Sequence, residues 1–490
     1  MNLIEKNYEF SKKLKKCFLN EKKIEKKLKI AKYYATFCFE NRTGTFQDLE
    51  FEKELGKISA EYAINTYEVK ENSNDRTLHV ATEVYSSGGH TRVINNWIKF
   101  EGKEQDLLII NSKRSQITDW LKNTLIVAKG KIILLQEKDD LEKAKELFNI
   151  AKNYKRIILH VHPNDIIPIL AFSNSKIRRK IYFYNHADHV FWLGLTINKC
   201  VLDLTFDGRI MSLKKRGVKN TKVLSIPLEK NIKEEKVVDR NQIYKLYNLE
   251  CNSKVIFSMA TEYKYNTILK YNFFEFLEEL IPFLIENNTY FLIAGPSLSK
   301  ESWKKIYEKS KKRIIPLGIV SKEKVKELWK IVDIYVDSFP LNSYTCLLEA
   351  IANNIISVSL KTPIPDLDCL KDIKIDSMEK FIEEIKKNII NRNNISKENI
   401  EFKLEKFHFK NGFLNNLKKI YLENDEKDIN NYRIVEERYN DEYEQFFVNQ
   451  KNERKFFSRN GIYYTLKKLL KKREFSIIVK LFYYWIKRID

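Results

Sequence analysis

Between residues 77 and 360 the chain alternates short, almost continuously apolar runs with segments of helical apolar spacing, and few folds accept that alternation. The runs 77–84, 106–111, 131–135, 156–162, 180–185 and 200–206 begin 20 to 29 residues apart. Helical spacing fills gaps at 91–100, 140–151 and 166–172. A second series follows at 254–259, 290–294, 313–317, 334–336 and 355–360, with helices expected at 273–285, 301–310, 322–330 and 344–352. Apolar strands without polar alternation are buried on both faces, which requires parallel sheets covered by helices. The sequence therefore predicts an α/β protein built as two halves.

A charged stretch at 229–240, EKNIKEEKVVDR, reads as the linker, after a last strand expected at 224–228 that Pro227 would end. The reading places a helical N-terminal extension at 1–70, one α/β domain at 71–235, a second at 236–400, and a basic helical region at 401–490. Lys and Arg outnumber Asp and Glu by 88 to 66, a net charge of +22. Residues 1–36 carry +7 of it and residues 451–490 carry +9, so the middle is only mildly basic. That argues against a protein built around a nucleic-acid groove, and no nucleic-acid partner is expected. The six cysteines are scattered with no C-x-x-C pair, which excludes a redox motif or disulfide framework and fits a reduced compartment. No apolar stretch approaches the ~18 residues of a membrane span. The lysine-rich start has no apolar block behind it, so a secretory leader is not expected and a cytoplasmic location is.

Three segments carry chemistry. Ser86-Ser87-Gly88-Gly89-His90-Thr91-Arg92 follows the first strand and opens a helix. Gly88 and Gly89 let the backbone turn tightly and approach a ligand, and a helix start favours negative charge. His90 and Arg92 stand there as candidate base and binding group. Six of the seven histidines lie between residues 79 and 189. His160 and His162 end one strand, and Asn185-His186-Ala187-Asp188-His189 ends the next, making a polar group where parallel sheets bind ligands. His79, inside the first strand, reads as a core residue. His and Asp clusters also bind zinc, but no H-E-x-x-H or cysteine companion is present, so no metal is expected. In the second half Asp337-Ser338-Phe339-Pro340-Leu341-Asn342-Ser343-Tyr344-Thr345 leads into a helix carrying Glu349, an arrangement suited to an anion. Ordinary capping by Asn342 or Ser343 is the plainer alternative. Lys264 adds a cation after the first strand of that half. Asp366 and Asp368 form a D-x-D of the kind that chance produces in a highly charged chain.

With those residues in place, the chain resembles the GT-B glycosyltransferases over residues 77–390. The resemblance implies two Rossmann-like domains facing across a cleft, here with helical N- and C-terminal extensions. The GGHTR loop resembles their N-domain glycine loop, facing acceptor and donor sugar. DSFPLNSYTCLLEA resembles their donor motif: Ser343, Tyr344 and Thr345 would contact diphosphate, Lys264 would neutralise it, and Glu349 would hold ribose. HVHPND, NHADHVFWLG and the DSFP motif also resemble a bacterial subset of sugar transferases with an added N-terminal helical region. Retaining members often carry Glu eight positions before the ribose Glu, where this chain has Leu341, a departure that leans towards inversion.

The function implied is transfer of a sugar, a hexose for preference, from a UDP-sugar to a glycan, lipid-linked or protein acceptor. No cofactor or metal is implied beyond the donor. His90 is the first choice of base, with Asp188 or His189 second. A basic binding protein on a degenerate fold and a sugar-nucleotide epimerase are the rivals. Finally, Leu466, Leu469, Leu470, Ile477, Ile478, Leu481, Phe482 and Trp485 form an apolar stripe in the basic segment 461–488, which would lie on an anionic membrane surface at the inner face or pack as core.

Overall fold

A computed structural model describes residues 2–65, 74–86, 89–102, 104–136, 139–230, 240–364, 368–391, 397–423, 432–435, 439, 442–448, 461–472 and 474–486. The chain divides into two compact units. One comprises Met1–Pro227 with Phe413–Val448 and Glu453–Asp490; the other is chiefly Leu228–Gly412. The N-terminal helices and most of the C-terminal region thus belong to the first unit.

The first unit holds β1 (Asn74–Ala81), β2 (Gln105–Ile109), β3 (Ile132–Leu134), β4 (Tyr154–His160), β5 (Ile181–Asn185), β6 (Cys200–Asp203) and β7 (Thr221–Val223). They form one sheet in the order β3-β2-β1-β4-β5-β6-β7, and every pairing is parallel. The order reverses between β1 and β4, whose register sets Ala81 beside His160. The chain after each strand therefore leaves the sheet side by side. The strand expected at 224–228 is not one. Leu224 N–H still reaches the Asp203 carbonyl at 2.9 Å, but the ladder ends there as the chain runs on to Pro227.

Helices Leu3–Asn20, Ile24–Glu40 and Leu49–Glu61 precede the sheet. The first starts in a capping box: Asn2 accepts from Glu5 N–H at 2.9 Å, and the Glu5 carboxylate accepts from Asn2 N–H at 2.8 Å. Asp48 caps the third through Phe51 N–H at 3.0 Å, a contact worth about 1 kcal/mol. Their apolar faces (Phe10, Leu14, Phe18, Phe37, Phe51, Leu55) join the same core as Leu78, Val80, Ile157 and Leu159 of the sheet. The tail reaches this core as well. Segment 461–488 is two helices among the described residues, Gly461–Lys471 and Phe475–Ile486, rather than one continuous stripe. Leu469, Ile477 and Leu481 are buried in the core, so the plain packing alternative holds for them. Leu470, Phe475, Val479 and Tyr483 are exposed.

The second unit repeats the pattern with β8 (Lys254–Met259), β9 (Thr289–Ala294), β10 (Ile314–Gly318), β11 (Ile334–Val336), β12 (Ile356–Leu360) and β13 (Lys374–Ile375). Their order, β10-β9-β8-β11-β12-β13, is again wholly parallel and reverses between β8 and β11. Gly295, just past β9, has φ +113°, and a Cβ there would lie 1.8 Å from the Ala260 carbonyl oxygen. Only glycine allows the two strand ends so close. No helix among the described residues is long and apolar enough to cross a membrane.

Candidate active site

The candidate residues lie at the carboxyl ends of β1, β4 and β5 in the first unit and of β8 and β11 in the second, at or next to the order reversal, where open parallel sheets bind ligands. In the first unit the helix Gly89–Glu101 follows β1. Thr91 Oγ accepts from Tyr85 N–H at 2.8 Å and closes the turn. Ser87 and Gly88 lie outside the described residues. Gly89, His90 and Arg92 are half-buried in the helix's first turn.

Four histidine rings pack together behind this turn. His90 Nε2 donates to the His160 carbonyl at 3.0 Å, which fixes its tautomer and leaves Nδ1 unprotonated. Among the described residues that Nδ1 has no hydrogen-bond partner. The His186 ring stands edge-on to His90 with centroids 4.5 Å apart. His160 is fully buried and paired with His79 at 3.0 Å, and His79 continues to Gln105 at 2.9 Å. Burial drives all four towards the neutral form. His79 and His90 fall to about 4, and His160 and His186 fall well below the ordinary value. His162 borders this group, its ring centroid 6.4 Å from that of His90, and its Nε2 is 3.2 Å from the Tyr85 hydroxyl, which donates to Glu83 at 2.7 Å. Sequence reasoning missed Glu83, a carboxylate buried at the end of the first strand.

The segment after β5 carries the remaining candidates. Asn185 is buried, donating to Asp203 at 2.7 Å and accepting from Ala187 N–H at 3.3 Å, so it shapes the turn. Asp188 Oδ1 lies 3.3 Å from Nδ1 of His189. A carboxylate on Nδ1 orients the ring and turns Nε2 outward.

In the second unit Asp337, fully buried just past β11, organises the loop. Its carboxylate accepts from the N–H groups of Ser338 (2.9 Å) and Ser343 (3.0 Å), from Asn342 Nδ2 (3.1 Å) and from Ser359 Oγ (3.1 Å). Burial raises its pKa, against which the charges of Lys374 and Lys264 act to lower it. Neither alternative capping residue is used as expected: Asn342 closes the loop, and the Ser343 side chain makes no cap bond. The result is a fixed start for the helix Tyr344–Ala352. Lys264 Nζ donates to the Asn342 carbonyl at 2.7 Å, which brings the cation to that helix start. Thr345 and Glu349 follow on one helix face, both half-buried. Lys374, on the two-residue β13, lies over the Tyr344 ring with Nζ 5.7 Å from its centroid. It is a second cation at this point, and no sequence signal marked it. Asp366 lies outside the described residues. Among the described residues no group of three or more His, Cys, Asp or Glu is arranged to hold a metal.

No protein-family model matches the sequence, and no curated protein does. Solved structures do match. A glycosyltransferase from Rickettsia africae aligns over 72% of this chain and 100% of its own, with TM-score 0.53 and 15% identity. Anabaena HepE, solved with UDP and glucose, aligns over 71% and 99%, with TM-score 0.53 and 12% identity. HepE with UDP alone gives TM-score 0.54 at 10% identity, over 71% of this chain and 100% of its own. The fold is GT-B. The GT-B arrangement gives this chain two parallel sheets, of 7 and 6 strands.

Proposed function

We propose that this protein transfers a sugar from a nucleotide-diphosphate donor, UDP-linked and hexose by preference, to a hydroxyl or amide of a glycan, lipid-linked or protein acceptor. The observation that carries the proposal is the Asp337-braced loop, which presents a helix start together with Lys264 at the reversal of the second sheet. The fold likeness to HepE, solved with UDP-glucose, supports the same donor class.

In this reading the second unit holds the donor. Ser343, Tyr344 and Thr345 lie against the diphosphate, Glu349 accepts from the ribose hydroxyls, and Lys264 faces the phosphate. Charge builds on the leaving oxygen as the C1–O bond to the diphosphate breaks. Fixed donors and cations aimed at that charge are a large source of rate acceleration, and here they take the place of a metal. The first unit supplies the acceptor side, with Gly88, Gly89, Arg92, His162 and His186 around the acceptor and sugar, and with the buried His160 and Asn185 bracing them from behind. As the acceptor oxygen bonds to C1, its proton passes to a base. His189, held by Asp188 and partly exposed, is suited to that step, whereas burial lowers the pKa of His90 to about 4. His90 remains the alternative through its Nδ1, which has no hydrogen-bond partner among the described residues.

We also place the protein in the cytoplasm, with the exposed side of the tail helices (Leu470, Phe475, Val479, Tyr483, beside Lys467, Lys471 and Lys472) against anionic lipid. The test of the main proposal is UDP release from a panel of UDP-sugars. Release from one donor, lost on Lys264→Ala, is expected; release from none contradicts it.

A further inference from the structure

The segment that carries Asp188 and His189 is held from both sides by buried side chains of opposite charge. At its start Arg216, fully buried at the end of the helix Phe206–Lys215, donates through Nη2 to the carbonyls of Asp188 (2.6 Å) and Val190 (2.7 Å). Its guanidinium lies between the rings of Phe46 (5.1 Å) and Trp192 (5.2 Å). At the far end the holder comes from the N-terminal helices. Glu52, on Leu49–Glu61 and 0% exposed, accepts from three consecutive N–H groups: Gly194 (2.8 Å), Leu195 (3.1 Å) and Thr196 (2.8 Å). The Thr196 hydroxyl adds a fourth bond at 2.7 Å. Gly194 has φ +134°, and a Cβ there would meet the Phe183 ring at 2.7 Å, so this turn admits no side chain. The Phe46 carbonyl also accepts from Trp192 N–H at 3.4 Å, and Thr36 accepts from Asn164 Nδ2 at 2.9 Å.

A carboxylate at zero exposure is costly unless its lone pairs are filled. Here both oxygens are filled by one turn of a segment 142 residues away in sequence. A helix merely packed on the sheet needs an apolar residue at that position, not a charge. Three of the four bonds are to backbone, so they fix the course of the chain directly.

We propose that Glu52 is a positioning residue for the Asp188–His189 pair, and that the N-terminal helical region is thereby part of the acceptor side of the site. This rests on the reading of that pair as the acceptor base. Through the turn at 194–196, Glu52 sets where the chain from Asp188 onward lies, and so the distance between Asp188 and Nδ1 of His189.

The test uses the full chain and two variants. Glu52→Gln keeps the shape but points an amide N–H₂ at donors on one side. Thr196→Val removes one bond and leaves the three from the backbone. The readouts are melting temperature, the melting shift given by UDP, kcat and donor KM for UDP release, the pH profile of kcat, and the NMR titration of the His189 ring, assigned by its loss in His189→Gln. Glu52→Gln is expected to keep the UDP shift and donor KM, to lower kcat about 10- to 100-fold, and to move the His189 titration and with it the pH profile. Thr196→Val is expected to do the same to a smaller degree. A folded Glu52→Gln with unchanged kcat and unchanged His189 titration overturns the proposal. Should Glu52→Gln fail to fold, Thr196→Val decides: a moved titration supports it and an unmoved one overturns it. If the unmodified protein releases UDP from no donor, the transferase reading fails, and the His189 titration alone judges Glu52.

Discussion

The carboxylate of Asp337 accepts the backbone N–H of Ser343 at 3.0 Å, across a loop that begins with one residue and ends with the other. That bond closes the segment between β11 and the helix Tyr344–Ala352 and fixes where the helix starts. A donor site placed there depends on a residue that would not itself touch the donor.

Asp337→Asn should therefore weaken nucleotide binding without removing any group assigned to the nucleotide. The asparagine amide turns N–H₂ towards donors that need an acceptor, and each lost bond to a buried charge costs about 1.5–3 kcal/mol. A lower melting temperature with loss of most of the UDP-induced shift is expected. An unchanged shift in a folded variant contradicts the role.

Donor binding should be separable from the acceptor side. UDP should raise the melting temperature through mass action, by RT ln(1+[L]/Kd) in free energy. Glu349→Ala should abolish most of that shift, and Lys374→Ala should reduce it. His90→Ala should leave it nearly intact. The reverse pattern would move the nucleotide to the first unit.

Most of the fold was legible because strands buried on both faces write uninterrupted apolar runs. β8 and the helices Asp140–Ala151 and Tyr344–Ala352 have the bounds expected of them. β13 has two residues and leaves no such trace, so Lys374 passed unnoticed. Glu52 fails for a different reason. A glutamate in an amphipathic helix reads as surface, and its burial depends on backbone groups far away in sequence. The tail stripe was legible, but a stripe does not say what covers it, and Leu469, Ile477 and Leu481 went to the core.

Acid should weaken the first unit through its buried histidines. His79 has its pKa depressed from 6.5 to about 4 in the folded state, mainly by burial. The unfolded chain then binds more protons, so the contribution is fully present above about pH 6.5 and is lost as pH falls towards 4. Buried carboxylates with raised pKa, such as Asp203, act in the opposite sense, so the comparison is made against a variant. The stability advantage of the unmodified protein over His79→Asn should shrink by roughly 2 kcal/mol between about pH 7.5 and pH 5, measured by urea unfolding. A constant difference contradicts a neutral buried His79.

The two faces of the tail should separate in mutants. Leu469→Ala should destabilise the protein by about 2–5 kcal/mol, as deletions in a packed core do. Val479→Asp with Tyr483→Asp should leave the melting temperature nearly unchanged and reduce sedimentation with anionic liposomes at low salt. Equal sedimentation of both forms removes the membrane contact from the account.

Turnover should survive chelation, because the leaving diphosphate is assigned to Lys264 and a helix start. Loss of UDP release in EDTA, restored by Mn or Mg, would show a metal in that role.

The most direct measurement is UDP release from purified full-length protein incubated with individual UDP-sugars, alongside Lys264→Ala and Glu349→Ala. The account predicts release from at least one UDP-sugar above the buffer rate, abolished or strongly reduced in both variants. No release from any UDP-sugar, together with no melting shift on adding UDP, would contradict it.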